Sequence, residues 1–255
     1  MDYASVMTEK NDWISLQSKV EEERLDVYLD LKSPHAYLAV RPSLEIARDF
    51  RVSVNFLPYT LSYMNLGVTT EVGIDKKRIP ASPLADRKAR MYYAAAREYA
   101  KLQSLPFLMP FRLLDSELGH RAFLFAKSQG LEIPFAMCVY LKGWGSGWHD
   151  FELESLRDLA SACQIVGVEM SGFYEFLAEG GEGQLKLRET EEKAEAEGLV
   201  GVPHYVFHDR DKDRRVGLFG REHLALIRSK YLKLGLARNA LVRRDFSHTW
   251  PKRTN

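Results

Sequence analysis

The chain has 255 residues, 45% of them hydrophobic, enough for one well-packed domain or for one domain with a large insertion. Its 36 basic and 35 acidic residues leave a formal charge of +1, which argues against a general nucleic-acid binder. With Cys138 and Cys163 as its two cysteines, the chain cannot rest on a disulfide framework, and it fits a reducing compartment.

Residues 1–23 hold six acids and two lysines and no apolar run, so no leader segment is expected there. The segment "RLDVYLDL" (24–31) alternates and is rich in strand formers. Ser33 and Pro34 then read as the N-cap and first position of a helix. That helix carries Tyr37, Leu38, Leu44, Ile46 and Ala47 and ends near Phe50. A second strand, "VSVNFLP" (52–58), completes a βαβ unit.

Residues 59–82 are irregular, and from 83 onward the spacing predicts helices near 83–103, 115–129, 134–142, 152–163, 170–179 and 184–197. Both cysteines fall inside these patterns and read as small buried hydrophobes. The longest uncharged apolar run, "IPFAMCVYL" (133–141), is too short to span a bilayer. "GWGSGW" (143–148) lacks dinucleotide-fingerprint spacing and reads as a helix stop and flexible link. "RETEEKAEAEG" reads as a solvated helix face closed by Gly198.

Strands return with "VPHYVFHD" (202–209) and "RRVGLF" (214–219), joined as a hairpin, and "REHLALIRSKYLKLG" closes the fold as a helix. His204 and His208 are four apart, but on a strand that spacing covers ~13 Å, too far for one metal. No metal is expected. Residues 230–255 hold seven Lys or Arg and one acid and read as a solvated or partner-packed tail.

The order βαβ, helical block, ββα implies an α/β, thioredoxin-like fold with a large all-helical insertion. The expected division is a discontinuous domain of 24–65 plus 199–236, a helical insertion of 66–198, and terminal arms of 1–23 and 237–255. Neither half is stable alone, so both must share one sheet.

"YLDLKSPHAYLA", "GVPHYVF", "FGREHL" and "RKARMYYAAAREYAKLQSLPF", taken in order, resemble the DsbA-like group that holds 2-hydroxychromene-2-carboxylate isomerases and kappa-class glutathione transferases. The similarity covers about 24–230. In DsbA-type oxidoreductases the helix start carries Cys-Pro-His-Cys; here Ser33 and Ala36 stand in the cysteine places, so thiol–disulfide exchange by the chain itself is chemically closed. In the isomerase and kappa members the matching position is a serine and the sulfur comes from bound glutathione. The resemblance therefore implies glutathione as cofactor, with Ser33 as the catalytic residue that holds its thiolate. Lowering a thiol from pKa ~8.5 to ~7 raises its ionised fraction at pH 7 from about 3% to about half, at about 2 kcal/mol.

By the same resemblance, Val202 and cis-Pro203 pair with the cysteinyl part of glutathione. Arg221 and Glu222 grip its γ-glutamyl end, and Lys88 lies near its glycyl end. His35 replaces the usual tyrosine, and Trp144 and Trp148 are candidates to wall an aromatic acceptor site. The asparagine that the family carries after the second strand has no clear counterpart; Asn65 and Thr70 are nearest. The implied function is a cytoplasmic glutathione-dependent isomerase or transferase acting on a small aromatic or conjugated carbonyl, with no membrane partner. Relatives are often dimers, and "WISLQSKVEEE" could pack on a neighbour. The alternatives are a cysteine-less thioredoxin-fold binding or chaperone-like module and a DsbA-like oxidoreductase.

Overall fold

In the computed structural model, residues 3–18, 21–63 and 82–245 are described, without side chains for 3–8. The strands are β1 (Glu23–Leu29), β2 (Val52–Pro58), β3 (His204–Asp209) and β4 (Arg214–Phe219), ordered β2-β1-β3-β4 in one sheet. β1 and β2 are parallel, as the intervening helix α2 (Pro34–Asp49) requires. β3 runs antiparallel to β1 and forms a hairpin with β4.

Strand alternation divides the sheet into two unlike faces. Val27 lies opposite Tyr205 and Leu25 opposite Phe207, on the face that meets α2 and α9 (Leu224–Lys233). There the Ser43 and Tyr205 hydroxyls lie 3.3 Å apart, and the rings of Phe207 and Phe50 pack on Tyr231. The other face is partly polar. Its Asp26 receives Asn55, Arg24 and Arg215, while the Tyr28 hydroxyl donates to Glu197 at 3.2 Å. Helices α4 (Glu117–Lys127) and α8 (Glu182–Ala196) cover that side.

Helix α2 survives a proline in its interior. Pro42 has no N–H for the Leu38 carbonyl. The side chain of buried Gln103, just past α3 (Pro83–Leu102), donates to that carbonyl instead, at 3.0 Å.

The helical segments stand close to where periodicity puts them, with α6 at Leu156–Ile165 and α7 at Phe173–Leu177. One differs. Residues 143–146 are not a flexible link: α5 (Glu132–Ser146) runs through them and stops at left-handed Gly147, φ 64°. Gly143 is needed inside the helix because a Cβ there would lie 2.6 Å from the Trp148 ring. Gly198, φ +82°, follows α8 as expected, but the acidic run is not merely solvated. Glu191 accepts the Thr60 N–H at 2.9 Å, and Glu195 accepts the Tyr59 hydroxyl at 3.3 Å.

The N-terminal segment also differs. Helix α1 (Tyr3–Gln17) packs on α5 and α2 of its own chain, burying Trp13 and Leu16. Glu9 pairs with buried Arg41 at 3.0 Å. Its apolar face is thus spent within the protomer rather than held for a neighbour. We expect Trp13→Ala to lower the unfolding free energy by about 3 kcal/mol. Urea denaturation at several protein concentrations reads this, and a midpoint that depended on concentration would instead place Trp13 at an interface.

Candidate active site

The joint between β1 and α2 carries the first group of site residues. Ser33 is 7% exposed and caps α2, its Oγ accepting the Ala36 N–H at 3.3 Å. A hydroxyl that accepts one bond still has its own hydrogen to donate. The Ser33 N–H is engaged by the Asp30 carbonyl at 3.0 Å, and Pro34 has none. The His35 N–H is left as the first-turn amide without a protein acceptor among the described residues.

Behind Ser33 lies a polar cluster that sequence reasoning missed. Asp30 is fully buried. Its carboxylate takes the Lys32 ammonium at 2.8 Å, the Lys32 N–H at 3.0 Å and the Leu61 N–H at 2.8 Å. Lys32 also donates to Ser116 Oγ at 3.0 Å. Nε2 of His120, on α4, accepts the Leu31 N–H at 3.1 Å and lies 3.3 Å from the Asp30 carboxylate. Its Nδ1 lies 2.8 Å from Thr60 Oγ1. Tyr140, on α5, donates to the Asp30 carbonyl at 3.0 Å. Burial alone would push the Asp30 pKa up. The Lys32 charge foremost outweighs it and holds the carboxyl well below the usual range.

The second group comes from the start of β3, the neighbour of β1 on the side away from β2. Tyr28 pairs with His204, so continuing that register sets Pro203 and Val202 alongside Leu29 and Asp30. The Val202–Pro203 peptide is cis. Val202 is buried, and its backbone N–H and C=O meet no protein group among the described residues. The Pro203 carbonyl accepts the Gly220 N–H at 3.0 Å, which brings in the tight turn Arg221–His223. Gly220 has φ +113°, a backbone conformation that strains any L side chain, which is why glycine stands there. Glu222 itself is exposed.

Arg221 is 5% exposed, and its Nη1 is sealed from solvent without a hydrogen bond. Its guanidinium lies 4.6 Å from the centre of the Tyr99 ring. Four arginines are buried among the described residues. Arg41 pairs with Glu9, Arg121 with Glu117 and Arg228 with Asp49. Among the described residues Arg221 has no carboxylate within ion-pair distance. Burial strips part of the guanidinium's hydration, which the Tyr99 ring and the neighbouring Glu222 charge offset in part.

Helix α3 spans this group. Tyr92 packs edge-on against His35, ring centres 5.9 Å apart, and Tyr99, whose ring lies under Arg221, follows about two turns later on the same helix. Lys88 is exposed one turn before Tyr92 on the same helix face. Nε2 of His35 is buried without a partner. Burial first, then the nearby Arg221 charge, hold the His35 pKa down at about 4 against the opposing pull of Glu222 and the Tyr92 backbone.

Trp144 and Trp148 stand apart from these groups. Both are 0% exposed, Trp144 stacked on Phe107 with ring centres 5.0 Å apart and edge-on to Trp148 at 5.4 Å. Enclosed in the core, they offer no face to a ligand from solvent. Cys138 and Cys163 are buried too, and burial pushes the Cys163 thiol up to about 12. His204 and His208 lie on β3, as expected. Asn65 and Thr70 fall outside the described residues.

With the geometry in hand, comparison places the chain. Residues 24–232 match the DSBA-like thioredoxin domain. The chain belongs to that family. It is 23% identical over 187 residues to a 2-hydroxychromene-2-carboxylate isomerase of Pseudomonas putida, covering 72% of this chain and 85% of the relative. A solved 2-hydroxychromene-2-carboxylate isomerase superposes with a TM-score of 0.62 at 19% identity, over 83% of this chain and 96% of that one. The cytosolic disulfide reductase DsbM of Pseudomonas aeruginosa, solved with GSH, superposes with a TM-score of 0.53 at 18% identity, over 83% and 97%. No helix among the described residues is long and apolar enough to cross a membrane.

The state of His35 gives a pH test. The unfolded imidazole titrates near its ordinary 6.5, the folded one near 4. Between these values the unfolded state binds more protons, so stability falls as pH drops through that window. We expect His35→Phe to flatten the fall between pH 6.5 and 4 by about 2 kcal/mol, read as the difference in urea midpoints between variant and parent.

Proposed function

We propose that the protein is a glutathione-dependent enzyme that adds the tripeptide's thiolate to a small aromatic or conjugated carbonyl compound. The reading is carried by Arg221, a buried guanidinium with no carboxylate of its own at the Ser33 end of the sheet. Glutathione brings carboxylates and a sulfur on one molecule. Its γ-glutamyl carboxylate would go to Arg221 and the α-ammonium to Glu222. The cysteinyl backbone would pair with Val202, and the glycyl end would point toward Lys88. Pro203 shapes the wall that carries Val202.

Ser33 then donates its hydroxyl hydrogen to the sulfur while its lone pair still caps Ala36. The thiolate attacks the carbon β to the carbonyl, a carbon–sulfur bond forms, and the π electrons move onto the carbonyl oxygen. The former double bond turns freely in this enolate. Collapse of the enolate expels thiolate and yields the isomer; protonation at carbon leaves the conjugate. The curated isomerase relative favours the first outcome.

A second reading, a thioredoxin-fold binding module without catalysis, draws on the near-complete burial of Ser33 and its engagement as a cap. Dithiol oxidoreduction by the chain itself is disfavoured, because both cysteines are buried and neither lies at 33 or 36. The free thiols fit a reducing compartment.

Calorimetric titration with reduced glutathione tests the proposal. We expect a Kd in the low-millimolar range or tighter, and at least ~10-fold weaker binding by Arg221→Met. No heat of binding at ~10 mM ligand would leave the binding module as the surviving reading.

A further inference from the structure

We propose that the outward face of α3 docks a second copy of this chain, the two helices lying antiparallel about a two-fold axis at the level of Tyr93. Helix α3 has 20 residues and buries Ala96 and Ala100 against the protein. The opposite face carries Leu84, Lys88, Met91, Ala95, Glu98 and Leu102, all exposed. They follow one another at alternating steps of four and three residues, the spacing of a coiled-coil seam. Leu84 is 53%, Met91 72% and Leu102 51% exposed. Apolar side chains scattered over a surface are ordinary, but large ones aligned along one seam mark a contact.

The order of residues along the seam matches its own reverse. Turned about Tyr93, Leu84 meets Leu102, Lys88 meets Glu98 and Met91 meets Ala95. Each pairing occurs twice, because a two-fold contact repeats itself. Apolar faces apolar at the ends, opposite charges meet further in, and a large side chain faces a small one at the centre. A parallel pair in register would instead set Lys88 on Lys88 and Glu98 on Glu98. Glu98 Oε1 accepts Lys101 at 2.7 Å, but both side chains are exposed, so that pair is worth little and leaves the other carboxylate oxygen for Lys88 of the second copy. From Leu84 to Leu102 the seam runs about 27 Å. One helix pair of that length covers less surface than a stable dimer needs, so the association is weak, with a Kd on the order of 10–100 µM. The chain is then monomeric at low-micromolar concentration. The contact does not rest on the function proposed above.

Sedimentation equilibrium of the full chain from ~1 to ~300 µM, without glutathione, tests the proposal. We expect a monomer–dimer equilibrium in that range. Lys88→Glu and Glu98→Lys should each weaken it at least ~10-fold, since either reversal sets two pairs of like charges face to face. The double variant carrying both reversals restores opposite charges and should dimerise like the parent. Met91→Glu brings a carboxylate from each copy to the centre of the seam and should leave a monomer throughout. All three positions are exposed, and unchanged circular dichroism checks that the fold is kept. A monomer at every concentration of the parent, a dimer unmoved by Met91→Glu, or a double variant as weak as the single ones would overturn the proposal. If a charge reversal disturbs the helix, Met91→Glu decides alone.

Discussion

The carboxylate of Asp30 is the interaction on which the site depends. It is buried, so it must be both paired and hydrogen-bonded to remain charged. Its partners arrive from separate parts of the chain, Lys32 from the turn and Leu61 from the segment after β2, while His120 of α4 holds the neighbouring Leu31 N–H. The Asp30 carbonyl takes Tyr140 from α5 and the Ser33 N–H. The position of Ser33 is therefore fixed by the insertion as much as by the sheet. A change in α4 or α5 that frees His120 or Tyr140 would be felt at the start of α2 without touching it.

Much of the scaffold is legible in the sequence because it depends on local chemistry. Ser33 before Pro34 is an N-cap before a first-turn proline, and it behaves as one. The alternation of "VSVNFLP" gives β2 at its observed bounds. The cis geometry of Val202–Pro203 follows the family pattern. Local rules fail where a distant residue decides the outcome. "GWGS" reads as a break because glycine disfavours helix, yet Trp148 needs the bare Cα of Gly143 and the helix continues through it. The glutamates of α8 read as solvated, yet two of them reach the strand-end backbone and a tyrosine more than a hundred residues away.

The same limit explains what is hidden in the site. Asp30 and Lys32 stand in plain view two residues apart, but Ser116, His120 and Tyr140 lie 84 to 110 residues beyond their partners in the joint. Arg221 is visible as a charge at a helix start, which ordinarily means a solvated arginine. Only the fold reveals that it is buried and that, among the described residues, the other buried arginines have found carboxylates within ion-pair distance while it has not. Trp144 and Trp148 show the reverse. Their aromatic character suggests a ligand wall, and packing spends them on the core.

Losing both cysteines at a thioredoxin-type helix start changes which species the site must stabilise. A dithiol site alternates between a thiolate and a neutral disulfide. A site that borrows its sulfur must hold a whole ligand by groups remote from that sulfur, and must still favour the anion. On the proposed reading Arg221 would answer the first requirement, since among the described residues no carboxylate lies within ion-pair distance of it and a bound anion would relieve part of the cost of its burial. The second would fall to the helix start, where among the described residues the His35 amide and the Ser33 hydroxyl hydrogen have no protein acceptor. Two hydrogen bonds and half a helix charge are a modest field.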